Sequence, residues 1–197
     1  MLSKEQIETN KALFQQTLQG YDLFTPELEE FLGEGLYTAP ATTTTSMHGA
    51  FPGGLVNHLL SVTKHANTIN KGMLECHKLE QRTMVQTCFL HQIGKVKLFK
   101  FNESEWHRTN LGKMYEYNED IVSMTVGERS VFYALNYGVK LTETQTQAIL
   151  NWDKSDDDKA SRYYTEPLGV ILRAANHCSI RTKMYTKWVT KNTTTKH

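Results

Sequence analysis

Apolar positions recur along most of the chain at the three-to-four-residue spacing of a helix with one buried stripe. Ser3 and Gln6 form a capping-box pattern ahead of Ile7, Phe14 and Leu18, and Gly20 ends the run, so a first helix is predicted there. Thr25-Pro26 followed by Glu27, Glu29 and Glu30 offers an N-cap, a first-turn proline and negative charge at the positive end of a helix dipole, which predicts a short second helix. The stretch GEGLYTAPATTTTSMHGAFPGG has no sustained period and reads as a long connection ending at Gly53-Gly54. Long connections in compact domains often cover sites.

Leu55, Leu59, Val62 and Ala66 share one stripe of the next helix, and a further helix is expected over 79–91. The period changes between Phe99 and Tyr117, where Asn110-Leu111-Gly112 resembles a turn between two short stretches suited to strands, so a small β-hairpin is expected. Three more helices are predicted at about 120–136, 142–152 and 167–188. The fold class is therefore all-α, a helical bundle with a small β-hairpin. A chain of 197 residues suits one domain, 1–197: N-terminal helices and loop over 1–52, a core over 53–181 and a C-terminal extension over 182–197.

With 39% apolar and 22% charged residues the composition is that of an ordinary globular protein, and no run approaches the roughly 18 apolar residues a membrane span requires. The start MLSKEQIETN lacks the apolar core of a signal peptide, so a cytoplasmic location is expected and no membrane partner. A net charge of +1 argues against sequence-independent coating of nucleic acid, so no nucleic-acid partner is expected. One local bias stands out: from Pro167 onward Arg173, Arg181, Lys183, Lys187, Lys191 and Lys196 occur with no acidic residue, as in a solvated face or a basic surface near an anionic ligand. Cys76, Cys88 and Cys178 lack a paired spacing and read as small core residues rather than a disulfide or zinc framework.

His58, a turn into its helix after Gly53-Gly54, and His91, near the end of the next long helix, could share a pocket between packed helices. The segments GGLVNHLLSV, FLHQIGKV, GERSVFYAL, AILNWDKSDDD and LRAANHCS stand in an order and spacing that resemble the HD-domain metal-dependent phosphohydrolases, over about 53–181. The resemblance implies a helical bundle holding one or two divalent metals, which lower the pKa of bound water and neutralise phosphoryl charge in nucleotide hydrolysis. Matched position by position, the two metal histidines fall on His58 and His91. The carboxylate after the second is replaced by Gln92, and a histidine before Gly-Glu by Val126. The histidine after the tryptophan becomes Asp153, and the last aspartate becomes Asn176.

Neutral amides in place of carboxylates hold a hard cation poorly and make no general base. The expectation is a degenerate HD-domain protein, a pseudoenzyme that binds a nucleotide-like, phosphate-bearing small molecule with hydrolysis lost or reduced and so sequesters a nucleotide signal. No cofactor is expected. Expected ligand-binding residues are His58, His91, Gln92 and Asn176, with Lys95, Arg129 and Lys154 as cations for phosphate, Asp153 as an oxygen donor and Trp152 as a surface for a base. Phe51, Phe132 and Tyr133 are weaker aromatic candidates. One alternative is an active nucleotide phosphohydrolase in which His58, His91 and Asp153, with waters, keep one Mn, Mg or Ni ion. Another is a protein-interaction scaffold. Asp156, Asp157, Asp158, Asp120 and Glu128 are the carboxylates from which a metal site could be rebuilt, and the neighbouring His177 points about 100° away from Asn176 on a helix. The oligomeric state is open, an oligomer being compatible with the chain.

Overall fold

The computed structural model describes residues 2–154 and 165–194, with side chains described through 186. Among the described residues there are eight α-helices, two short 3₁₀ turns and one two-stranded sheet. Helix α1, Lys4–Tyr21, begins with both bonds of the Ser3–Gln6 capping box and stops at Asp22, which adopts the left-handed conformation (φ 51°) and donates its N–H back into the last turn. Helix α2, Pro26–Thr38, is capped by the Thr25 side chain. It continues through Gly33, which bends the chain at φ 46°, a value open mainly to glycine. The irregular connection therefore starts at Ala39 rather than at Gly33, because Leu28, Leu32 and Leu36 are buried on both sides of the bend.

That connection is tied down along its length. Ala41 N donates to Gly49 O at 2.8 Å, Thr45 N to Gly112 O at 2.9 Å and Tyr115 N to Thr43 O at 3.1 Å. It then lies directly on the start of α3, Gly54–Gly72, where a Cβ at Gly54 would sit 2.1 Å from the Gly49 carbonyl oxygen. Helix α4, Gln81–Leu90, starts where the Glu80 carboxylate accepts the N–H groups of Arg82 and Thr83, and it leaves His91 as its C-cap. A single 3₁₀ turn, Ile93–Lys95, follows.

Strands β1, Phe99–Phe101, and β2, Tyr115–Tyr117, pair antiparallel with Phe99 opposite Tyr117. They are not joined by a hairpin turn. Helix α5, Glu105–Leu111, stands between them, capped by Ser104 and closed by Gly112 at φ 62°. Asn110-Leu111-Gly112 is the end of that helix, and Ser104 with Glu105 is the start signal that the turn reading passed over. Helix α6, Val126–Asn136, begins six residues later than the expected 120, at a Thr125–Glu128 capping box. Helix α7, Glu143–Asn151, has another at Thr142–Gln145, and α8 runs Pro167–Thr194, past the expected end.

Two buried clusters fill the interior. The larger joins α1, α2, α6 and the outer parts of α3 and α4, with Phe14 stacked on Phe89 at 4.1 Å, a contact worth about 1 kcal/mol beyond its buried area. The smaller joins α7 and α8 to the other parts of α3 and α4 through Val62, Met84, Cys88 and Leu172. Helices α3 and α4 run through both clusters, which sets their polar residues between the two. Cys88 is the core cysteine; Cys76 and Cys178 are exposed, and all three are free thiols. No described helix is long and apolar enough to cross a membrane.

Candidate functional site

Between the two clusters α3 contributes His58, α8 contributes Asn176, and the end of α4 contributes His91 and Gln92. All four are buried. His58 Nε2 lies 2.9 Å from Asn176 Oδ1, and since an amide oxygen only accepts, the imidazole proton sits on Nε2. The other ring nitrogen lies 3.2 Å from Ser179 Oγ, which is 2.9 Å from Ser61 Oγ. Ser61 is three residues beyond His58 and Ser179 three beyond Asn176, so each pair shares one helix face. Gln92 Nε2 donates to the same Asn176 oxygen at 3.4 Å.

His91 is oriented differently. Its Nδ1 donates to the Cys88 carbonyl at 2.7 Å, which leaves Nε2 as a lone pair. That nitrogen, Gln92 Oε1 and the Trp152 indole Nε1 are buried without a hydrogen-bond partner among the described residues. The His91 ring meets the Trp152 ring edge to face at 5.5 Å, and Lys95 Nζ stands 5.9 Å from the Trp152 ring centre. Buried polar atoms are nearly always paired, so two open acceptors and an open donor near one lysine set this part of the interior apart.

Burial sets the charge state. It holds His58 well below the ordinary imidazole range, aided by the positive Lys95, and lowers His91 to about 4 against the opposing pull of the Cys88 carbonyl and, more weakly, of the nearby Asn176 side chain. Both rings are neutral at pH 7. Burial also lowers Lys95 to about 7, against the attraction of Asp153, which is itself exposed. Lys95 is 7% exposed and donates to the Ala41 carbonyl at 2.7 Å, fastening the 39–53 connection over the centre.

The same connection brings in His48, a residue the spacing argument did not single out. Its ring lies 4.6 Å from that of His58, which in turn is 6.2 Å from that of His91. The only sequence signal was a histidine five residues before Gly53 in an otherwise featureless loop.

Other candidates are placed elsewhere. Arg129 is buried, but its guanidinium donates to the Val122 carbonyl. Lys154 is exposed, and its carbonyl accepts from Arg173. Glu128 caps α6, Asp120 is exposed, Tyr133 belongs to the larger core cluster, and Phe132 is exposed. His177 is exposed and accepts from Arg181, turned away from Asn176. Asp156, Asp157, Asp158 and Lys196 lie outside the described residues, as do the side chains of Lys187 and Lys191.

A divalent ion, which the family resemblance implies, does not fit this donor set. His58 presents an N–H where a ligand needs a lone pair, Gln92 and Asn176 are neutral, and Lys95 adds positive charge. Among the described residues no three His, Cys, Asp or Glu side chains gather as metal ligands. No protein-family model, curated protein or solved structure matches the chain.

Proposed function

We propose that the chain is a degenerate HD-like protein that binds a nucleotide or related phosphate-bearing small molecule at the His58, His91, Gln92 and Asn176 centre without hydrolysing it, and so sequesters a nucleotide signal. The observation that carries this reading is the trio of unpartnered buried atoms, His91 Nε2, Gln92 Oε1 and Trp152 Nε1, beside Lys95. Two acceptors and a donor suit the hydrogen-bonding edge of a base or the hydroxyls of a ribose, and the Lys95 ammonium suits a phosphate oxygen. Asp153 acts here through the charge of Lys95, not as a ligand, and Arg129 and Lys154 play no direct part.

The same atoms argue against catalysis. Turnover needs a metal-bound hydroxide or an effective general base, and this centre offers neutral amides, a His58 whose Nε2 proton faces Asn176, and a His91 whose open Nε2 is made a weak base by burial, at about 4. The 39–53 connection must part from Lys95 to admit a ligand, so slow association accompanies tight retention. Calorimetric titration with a nucleotide panel in EDTA, and again with Mn, tests the reading, with chromatography of the recovered ligand. Chelator-resistant binding and an intact ligand support it; phosphate release that requires metal supports the hydrolase instead.

A further inference from the structure

On the outer side of His48 lies an open cleft of about 430 Å³, bounded by loop residues 45–51, the start of α3 and α8. His48 lines it while touching His58 with its ring; His58, His91 and Asn176 do not line it. Lys183 enters from α8. Burial lowers its ammonium to about 8, and no carboxylate among the described residues lies within ion-pair reach of Nζ. None of the described lining residues is acidic. Asn57 spends its amide oxygen on Asn10 Nδ2 at 3.3 Å, which leaves its own N–H groups to donate. Met47 and Phe51 supply apolar wall.

A half-buried lysine with no carboxylate among the described residues to meet it carries a partial desolvation cost that an incoming anion offsets. An apolar wall beside it selects an anion with a hydrophobic body over a bare ion. We propose that this cleft is a second ligand site, for a small organic anion with one phosphate, sulfonate or carboxylate group on an aromatic or alkyl body. Lys183 takes the anionic head, Asn57 donates to it, and Phe51 and Met47 cover the body. The site stands whether or not the buried centre binds a nucleotide. The positive charge of Lys183 contributes, as the weakest of several influences, to holding His58 neutral, so an anion in the cleft bears on the buried centre.

The test is fluorescence titration of the full chain with 8-anilinonaphthalene-1-sulfonate, compared with the neutral N-phenyl-1-naphthylamine. One sulfonate site per chain is expected. Lys183→Met should weaken it about tenfold or more and Lys183→Arg should largely retain it, with the neutral probe nearly unchanged, the scale of a charge-assisted hydrogen bond. Equal sulfonate affinity in wild type and Lys183→Met, or parallel loss of both probes, overturns the proposal. A wild-type measurement avoids dependence on a variant's folding: saturating sulfonate should slow reductive methylation of Lys183, read by peptide mass spectrometry, but not of the exposed Lys64. Equal rates at Lys183 with and without the probe also overturn it. The probes carry no base or ribose, so a negative result here leaves the nucleotide reading untouched.

Discussion

His58 Nε2 and Asn176 Oδ1 meet at 2.9 Å across 118 positions of chain, both on buried residues. The bond fixes a neutral imidazole against a neutral amide and ties α3 to α8. Replacing Asn176 with Leu leaves a buried imidazole N–H without an acceptor and removes the partner of Gln92. The expected loss is about 2 kcal/mol of stability, read by urea denaturation. An unchanged midpoint would mean that the bond contributes nothing.

The amides at 92 and 176 are what make the centre unsuited to a dication. Gln92→Asp combined with Asn176→Asp supplies two anionic donors next to His91, whose Nε2 already presents its lone pair. Mn²⁺ affinity, measured by electron paramagnetic resonance, should rise at least about tenfold, the effect of added anionic oxygen ligands. No gain would refute the electrostatic account of Gln92.

The two buried histidines make stability depend on pH in a defined window. His91 titrates at about 4 in the folded chain against an ordinary 6.5, so between these values the unfolded chain binds a proton that the folded chain does not. The His91 contribution is therefore fully present above about pH 6.5 and is lost as pH drops toward 4, about 3 kcal/mol, while the lowered Lys95 and Lys183 add a rise in stability only above about pH 7. His58 shifts in the same direction and adds to the slope. Glu80 and Glu128, whose carboxyls are lowered from 4.5, act at more acidic pH. Urea midpoints between pH 7.5 and 4.5 check this; a flat profile would show that the imidazoles are not buried neutral.

Gly94 sets the turn that carries His91, Gln92 and Lys95 against α6. A Cβ there would lie 2.5 Å from the Val126 carbonyl oxygen and 2.9 Å from Ser130 N, both backbone atoms that cannot give way cheaply. Gly94 N also donates to Ser130 Oγ, which bonds the His91 carbonyl. Gly94→Ala should cost about 2 to 3 kcal/mol by overpacking, read by thermal denaturation. A cost near zero would show that α6 stands off from the turn.

The sequence marks helices well where a cap and a stripe coincide, as at Ser3–Gln6 and along Leu55, Leu59, Val62 and Ala66. It misleads where one signal is read alone. Asn110-Leu111-Gly112 reads as a turn unless it is paired with the N-cap at Ser104, and Thr125-x-x-Glu128, not residue 120, marks the start of α6. Helix spacing leaves His58 and His91 unremarkable singly, and they stand out with Gln92 and Asn176 only through the resemblance of the five segments to the HD-domain pattern. His48 and the Ala41 carbonyl are not legible, because loop residues reach the centre through tertiary hydrogen bonds that leave no period. Arg129, a cation beside the motif, is held by a local bond that no spacing rule reveals: its guanidinium donates to the Val122 carbonyl, while its Nε is buried without a partner among the described residues.

Lys95→Met removes the ammonium that holds Ala41 and stands beside Trp152. Amide exchange over 39–50 should speed up severalfold as the fastening bond is lost, while the cores of α3 and α4 keep their protection. Exchange unchanged in that stretch would show that the connection is held by its own backbone bonds alone.

The most direct measurement is mass spectrometry of small molecules released when the purified chain is denatured, with elemental analysis of the same sample. The account expects an intact nucleotide or related phosphate compound in near-equal amount to protein, without stoichiometric divalent metal. A full complement of metal together with metal-dependent release of phosphate would contradict it.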